Sequence, residues 1–459
     1  MLTSNVFDVI AINSRSGNSQ DFAYLTKYDS VHGTFHENEI TFDEKDQDLT
    51  TAFVGHSTEF TAYVRKFEDS SNGVATADSQ RVSVFHNKVF LRLQPWSRDA
   101  IVSKIDVGIG DYLRNYYAPS VDDPLSGSSI IQNTAYVYAG VEGQFRKYFQ
   151  WDAKADYAFA GNDFSDFGVQ ANARCNLYPF RRSKTSPLSI GAHFETSLRA
   201  PTYYQQHTIA SQHKWDNDFS KQSLTRIGGD IDIPYWKAKA SVGYSLFANT
   251  VYYDSDCVIR QSPDPVSVFS ASIRKDLVLG NFLHLDNQLL FQMSSNQEVV
   301  PVPMLAVNAK YFVQFVAAKD RATRTRNVLV MQIGANAWYN TQWYSPGWNP
   351  VLGVFFNQNE FLYENGPRID AFVNMQWKRA CIFLKFENIG GGWPMNRRDF
   401  FTASHYVNTK STFKIGIFWP FYTQPGKPHS HGTGAGAAAG SGPGAAAKPA
   451  NGMKAHGNR

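Results

Sequence analysis

No run of about 18 apolar residues occurs anywhere in this chain, which excludes a helical membrane span. Cysteine is scarce: Cys175, Cys257 and Cys381 show no CxxC spacing and form no even-numbered set, so they read as isolated thiols rather than a disulfide framework or redox pair. Catalytic signatures are missing too. There is no GxSxG, no P-loop and no HExxH. The pairs His207/His213 and His429/His431 read as surface histidines, since a metal site needs further ligands placed beside them. Asp230 and Asp232 are two apart on one stretch, so strand geometry sets them side by side on a face rather than across an acid–base pocket. These absences set the expectation of a protein that is not an enzyme and carries no cofactor and no metal.

An excess of charge of one sign is also lacking. The formal net charge is +4, and after Tyr422 the chain carries four cations, Lys427, Lys448, Lys454 and Arg459, and no carboxylate. The rest is balanced, so no basic footprint for nucleic acid exists. Nor does the start, MLTSNVFDVIAINSRSGNSQ, show a basic segment followed by an apolar core, as a secretory signal would.

What the chain does contain is alternation. Across residues 151–199, Trp151, Ala153, Ala155, Tyr157 and Phe159 alternate with Asp152, Lys154 and Asp156. Val169, Ala171, Ala173, Cys175 and Leu177 then alternate with Gln170, Asn172, Arg174 and Asn176; Leu188, Ile190, Ala192, Phe194 and Leu198 are set against His193, Glu195 and Arg199. A period of two gives a strand one apolar and one polar face. Runs of roughly 9–13 residues exceed the usual ~5–6 of a globular strand and match the ~9–11 that cross a bilayer at a tilt. Aromatics make up 15% of the chain, as expected where girdles of Trp, Tyr and Phe mark two membrane interfaces. Mean hydropathy is nevertheless negative, because half of every barrel strand is polar.

In chain order, residues 1–57 read as a weakly structured lead-in or first strands, 58–422 as a transmembrane β-barrel, and 423–459 as a disordered Gly/Ala/Pro-rich tail. Residues 118–129 and 201–221 read as loops, the second long enough to fold inward as a constriction. The fold class is all-β, a transmembrane antiparallel barrel of roughly 16–20 strands, wide enough for a hydrated channel. On the polar faces, Lys154, Asp156, Arg174, Glu195, Arg199, Arg226, Asp230, Asp232, Lys237 and Lys239 are candidates to line the lumen; a solvated sheet face is the plainer alternative. Candidates for the membrane interface are Trp151, Trp236, Tyr244, Tyr339, Trp377, Trp419 and Phe421.

Four long phrases resemble one known family, the putative porins of the Bacteroidetes outer membrane. They are LQPWSRDAIVSKIDVGIGDYLRNYY (93–117), NLYPFRR (176–182), NFLHLDNQLLFQ (281–292) and FVNMQWKRACIFLKFENIGGGWPM (372–395). The resemblance covers about residues 58–422 and implies an outer-membrane barrel, while supplying no catalytic residues. It also implies an upstream signal peptide and segment. The expectation is that the signal has been removed or that the coding sequence starts late. The function expected is passive diffusion of small hydrophilic solutes, with outer-membrane lipid and the barrel-insertion machinery as partners. The solute and the homo-oligomeric state stay open. Two rivals are a soluble or surface-attached all-β protein that binds glycans, and a structural barrel with a closed lumen. Apolar faces without a partner drive aggregation in water, so a β-rich, monodisperse species should be recovered only in detergent or bilayers. Its isolation without detergent, with strong β circular dichroism, would refute the membrane reading.

Overall fold

The computed structural model describes residues 2–13, 26–29, 34–37, 50–69, 76–94, 100–119, 127–179, 187–210, 212–319, 327–389, 401–407 and 410–419. Phe421 and the tail from 423 lie outside them, as does most of the lead-in. One sheet of 17 strands dominates. In chain order its strands are β1 Leu2–Asn13, β2 Thr50–Asp69, β3 Thr76–Leu93, β4 Lys104–Pro119, β5 Gly127–Phe145, β6 Phe149–Gly161, β7 Phe167–Leu177, β8 Leu188–Arg199, β9 Gln222–Ile233, β10 Ala238–Ala248, β11 Val266–Leu279, β12 Leu283–Ser294, β13 Leu305–Lys319, β14 Asn327–Tyr344, β15 Leu362–Trp377, β16 Ala380–Glu387 and β17 Thr412–Phe418. Each pairs antiparallel with the next, from β1–β2 through β16–β17. The fold is a transmembrane β-barrel.

The register turns the alternation of single strands into two continuous surfaces. Ala52, Leu93, Ile105, Val141, Ala153, Ala171, Phe194, Ile227, Tyr244, Phe269 and Met293 stand opposite one another in turn from β2 to β12. One residue away runs Phe53, Arg92, Asp106, Gly140, Lys154, Gln170, Glu195, Arg226 and Ser245. Apolar side chains therefore gather on one face and charges on the other. Ile227 is 56% exposed and Met293 59%. A residue of that size gains roughly 1.5–3 kcal/mol on leaving water, so a belt of them requires lipid outside.

Among the described connections, the two ends differ. Residues 146–148, 234–237, 280–282 and 378–379 are tight turns at one end; 200–221, 249–265, 295–304 and 345–361 are long connections at the other. Arg146, Lys237 and Lys378 take positive φ in three of the tight turns, the backbone twist that joins adjacent strands closely. Lys237 was expected on a strand's lumen face, and its place is this turn, because Pro234 ends β9 in a single 3-10 turn. Exposed aromatics crowd the tight-turn end: Phe145, Tyr148, Phe149, Tyr235, Trp236, Phe282 and Trp377. Trp151, half-buried near that end, donates its indole N–H to the carbonyl of Ile101 at 2.8 Å.

Several strands outrun their alternation. β2 begins at Thr50 rather than 58, and β4 and β5 reach Pro119 and Gly127, into the stretch expected as a loop. Backbone ladders need no apolar side chains, so pairing continues past the belt where the pattern fades. Within the belt the pattern decides insertion. Ala171→Arg places a charge on the outer face at a cost of roughly 2–4 kcal/mol near the midplane. Asn172→Arg, one residue on, enters the polar face beside Asp152 and His193. Refolding into liposomes from urea should be impaired far more by the first; equal impairment would mean the faces are assigned wrongly.

Candidate functional site

The polar face is concave, because single cavities are bounded by it across several strands at once. One, of about 600 Å³, draws its lining from β3 to β6, the end of β8 and residues 200–203. Lys154, Asp156 and Arg199 line it. A second, of about 510 Å³ and nearer the tight turns, includes Arg174 and Asp230 with Asp152, Asn172 and His193.

Opposite charges on this wall meet across strands. Arg199 bridges Asp156 at 2.7 Å, Arg226 meets Glu195 at 3.1 Å, and Arg92 holds Asp106 at 2.7 Å. Lys104 joins Glu142 at 2.7 Å, Lys221 joins Asp166 at 2.7 Å, and Arg114 contacts Asp163. On β15 to β17, Asp370 and Glu387 are shared among Arg368, Lys385 and Lys414. Asp232 stands opposite Lys239 in the β9–β10 register. The part-exposed pairs among them, such as Arg226 with Glu195 and Arg199 with Asp156, are worth ~0–1 kcal/mol each, so they pattern the charge of the wall rather than hold it together. Among the described residues, Arg174, Lys154 and Lys88 have no carboxylate within ion-pair distance. The wall of β3 to β5 adds Lys88, Arg92 and Arg114, which alternate in the same phase as the candidates named from the sequence.

At the long-connection end the protein builds a cap. Four connections carry small hairpins: His207–Ile209 with Lys214–Asp216, Val251–Tyr253 with Ile259–Gln261, Gly347–Asn349 with Val354–Phe356, and Phe401–Ala403 with Tyr406–Val407. They interlock. The His213 ring is 3.2 Å from the Asn349 amide, Asn357 donates its N–H to the Tyr253 carbonyl at 2.8 Å, and Ser404 donates its own to Pro346 at 2.9 Å. Asn357 also binds the carbonyls of Glu298 and Val299 with its side chain, at 2.7 and 2.8 Å. Val266, Leu352, Ile259, Val299 and Val351 are among the most buried apolar residues described. The cap thus has a small buried core of its own, beside buried wall residues such as Phe53 and Ala158.

Two anchors tie the cap to strands remote in sequence. Arg65 on β2 donates to the carbonyl of Val351. Tyr204, in the short helix Tyr203–Gln206, sets its hydroxyl 2.7 and 2.9 Å from the carbonyls of Arg81 and Tyr117, and accepts the Arg81 N–H at 3.1 Å. Its neighbour Tyr203 packs on Tyr116 with ring centres 5.0 Å apart and lines the larger cavity. The segment after β8 therefore folds inward against the wall. Burial lowers the His213 pKa, so it is neutral at pH 7. Burial also pushes the hydroxyls of Tyr204 and Tyr253 up to about 12. Among the described residues no group of three or more His, Cys, Asp or Glu could hold a metal ion.

A family model described as putative porin matches residues 2–423. The chain belongs to that family. Barrel fold and family together place it in the outer membrane. No curated protein matches. Among solved structures it is similar to the ferric enterobactin receptor of Pseudomonas aeruginosa, at 11% identity and a TM-score of 0.55, covering 81% of this chain and 60% of that one. It is similar also to the copper transporter OprC (9%, TM-score 0.56, 81% and 63%) and to the siderophore receptor PirA of Acinetobacter baumannii (9%, TM-score 0.52, 81% and 60%). This barrel spans about three fifths of the length of these proteins, and at such identities the likeness is one of fold.

The raised tyrosine pKa values carry a sign. A hydroxyl that ionises later folded than unfolded contributes stability below pH 10 that is lost as pH rises toward about 12. Absorbance of tyrosinate in the Tyr204→Phe/Tyr253→Phe double variant should lack a late step near pH 12 that the parent shows. An unchanged titration would mean these hydroxyls are not held by the cap.

Proposed function

We infer that this barrel lets small hydrophilic solutes diffuse across the outer membrane along its polar wall, with the hairpin cap setting the size that enters, and with no catalytic step. The observation that carries this reading is the row from Arg92 on β3 to Ser245 on β10, polar at every position but Gly140 and one residue from the lipid-facing row. A hydrated wall of mixed sign favours passage with mild ion selectivity. Lys154, Asp156, Arg174, Glu195, Arg199, Arg226, Asp230, Asp232 and Lys239 are its lining. The similar structures are named for different cargoes, an iron chelate, a siderophore and copper, so they support transport in general rather than a solute. Delivery to the membrane would be by the barrel-insertion machinery.

The cap favours one competing reading, a structural barrel closed at its mouth. Conductance separates the two. In planar bilayers the purified protein should conduct with weak ion preference, and Arg174→Glu should shift that preference toward cations. Arg174 is the better site for this test than Arg199, whose charge Asp156 already balances. Because the shift acts through local potential, it should shrink between 0.1 M and 1 M salt, where the Debye length falls from ~10 Å to ~3 Å. An inserted barrel that never conducts would support the closed reading; conductance indifferent to Arg174→Glu would remove that residue from the lining.

A further inference from the structure

The wall of β3 to β5 holds an arrangement that passage alone does not require. Gly108 and Gly110 on β4 stand opposite Tyr138 and Tyr136 on β5. A Cβ on Gly108 would lie 2.5 Å from the Tyr138 ring, and one on Gly110 would lie 2.4 Å from the Tyr136 ring. The same holds at Gly55, where a Cβ would meet the Phe90 ring at 2.2 Å. Three rings therefore cross bare backbone, in the space a side chain on the glycine would fill. Tyr112 extends the pavement: it stacks on Tyr136 with centres 5.2 Å apart and on His86 at 4.1 Å and 13°. His86 lies 2.7 Å from the Tyr136 hydroxyl, which fixes both. Phe90, Tyr112 and Tyr138 stay partly exposed on the concave side.

Cations lie over these rings. Lys88 sits 5.3 Å from the Tyr138 ring centre and 5.7 Å from that of Phe90, and Arg114 sits 5.0 Å from Tyr112. The carboxylates in the same cavity are engaged: Asp106 with Arg92, Asp156 with Arg199, Asp163 with Arg114, and Asp166 with Lys221. Lys88 and Lys154 face the cavity with no carboxylate at ion-pair distance among the described residues. A flat ring surface accepts the C–H face of a pyranose, and charged side chains bond its hydroxyls. Two uncompensated ammonium groups add a demand for negative charge.

We propose that this wall is a binding subsite for acidic saccharides, in which pyranose rings lie on Phe90, Tyr138 and Tyr112 and separate uronate carboxylates meet Lys88 and Lys154. The assignment deepens the passage reading by naming the solute class, and it rests on that reading only for transport, not for binding. Titration calorimetry of the full protein in detergent should show trigalacturonate binding at least about tenfold more tightly than maltotriose, the difference one charge-assisted contact gives. Lys88→Gln/Lys154→Gln should abolish the preference while leaving weak binding of both sugars. Tyr138→Ala should weaken both, and Tyr138→Phe, which keeps the ring, should restore them. In bilayers the same acidic trimer should interrupt the current at lower concentration than the neutral one. Equal affinity for the two trimers, or a preference that survives loss of both lysines, would overturn the assignment. Binding without conductance would leave the subsite standing and sink passage; conductance without binding would do the reverse.

Discussion

Inside a bilayer no water satisfies a backbone N–H or carbonyl, so a spanning sheet has to pair every strand on both sides. Consecutive antiparallel ladders pair β2 to β16 on both sides, and the rest depends on them. Because pairing is residue by residue, the period of two in one strand propagates into its neighbours. Tyr244 lies outside because Ile227 and Phe269 beside it do, and Arg226 lies inside because Glu195 and Ser245 do. A one-residue slip anywhere would send charges into lipid.

With the backbone satisfied by the ladder, side chains on the inner wall are released from holding the fold. That explains their composition. Part-exposed ion pairs such as Arg226 with Glu195 are too weak to be structural, yet they leave chosen cations uncompensated. Glycines in β4 would weaken a soluble strand; here they let tyrosine rings settle onto the wall. Chemistry on the lumen side is thus free to vary over a constant frame.

The cap follows different physics. Its hairpins are too short to be stable alone, and they persist by burying one another, with Val266 and Leu352 nearly inaccessible. Arg65 and Tyr204 then fasten this small core to strands remote in sequence.

The sequence by itself determined the barrel class, the approximate strand number and the two faces, because alternation is a local property that each strand displays alone. That most candidates for the lining share one face was legible for the same reason: Asp156 and Arg199 fall in phase on their own strands, and the ladder brings them together. Lys237 was misplaced because alternation does not say where a strand stops. Only the tertiary structure decided which charges pair, that Tyr136 and Tyr138 lie over Gly110 and Gly108, and that four hairpins meet across the mouth. Those facts depend on register and on contacts between segments up to 286 residues apart, as between Arg65 and Val351, and no periodicity within a single strand encodes them.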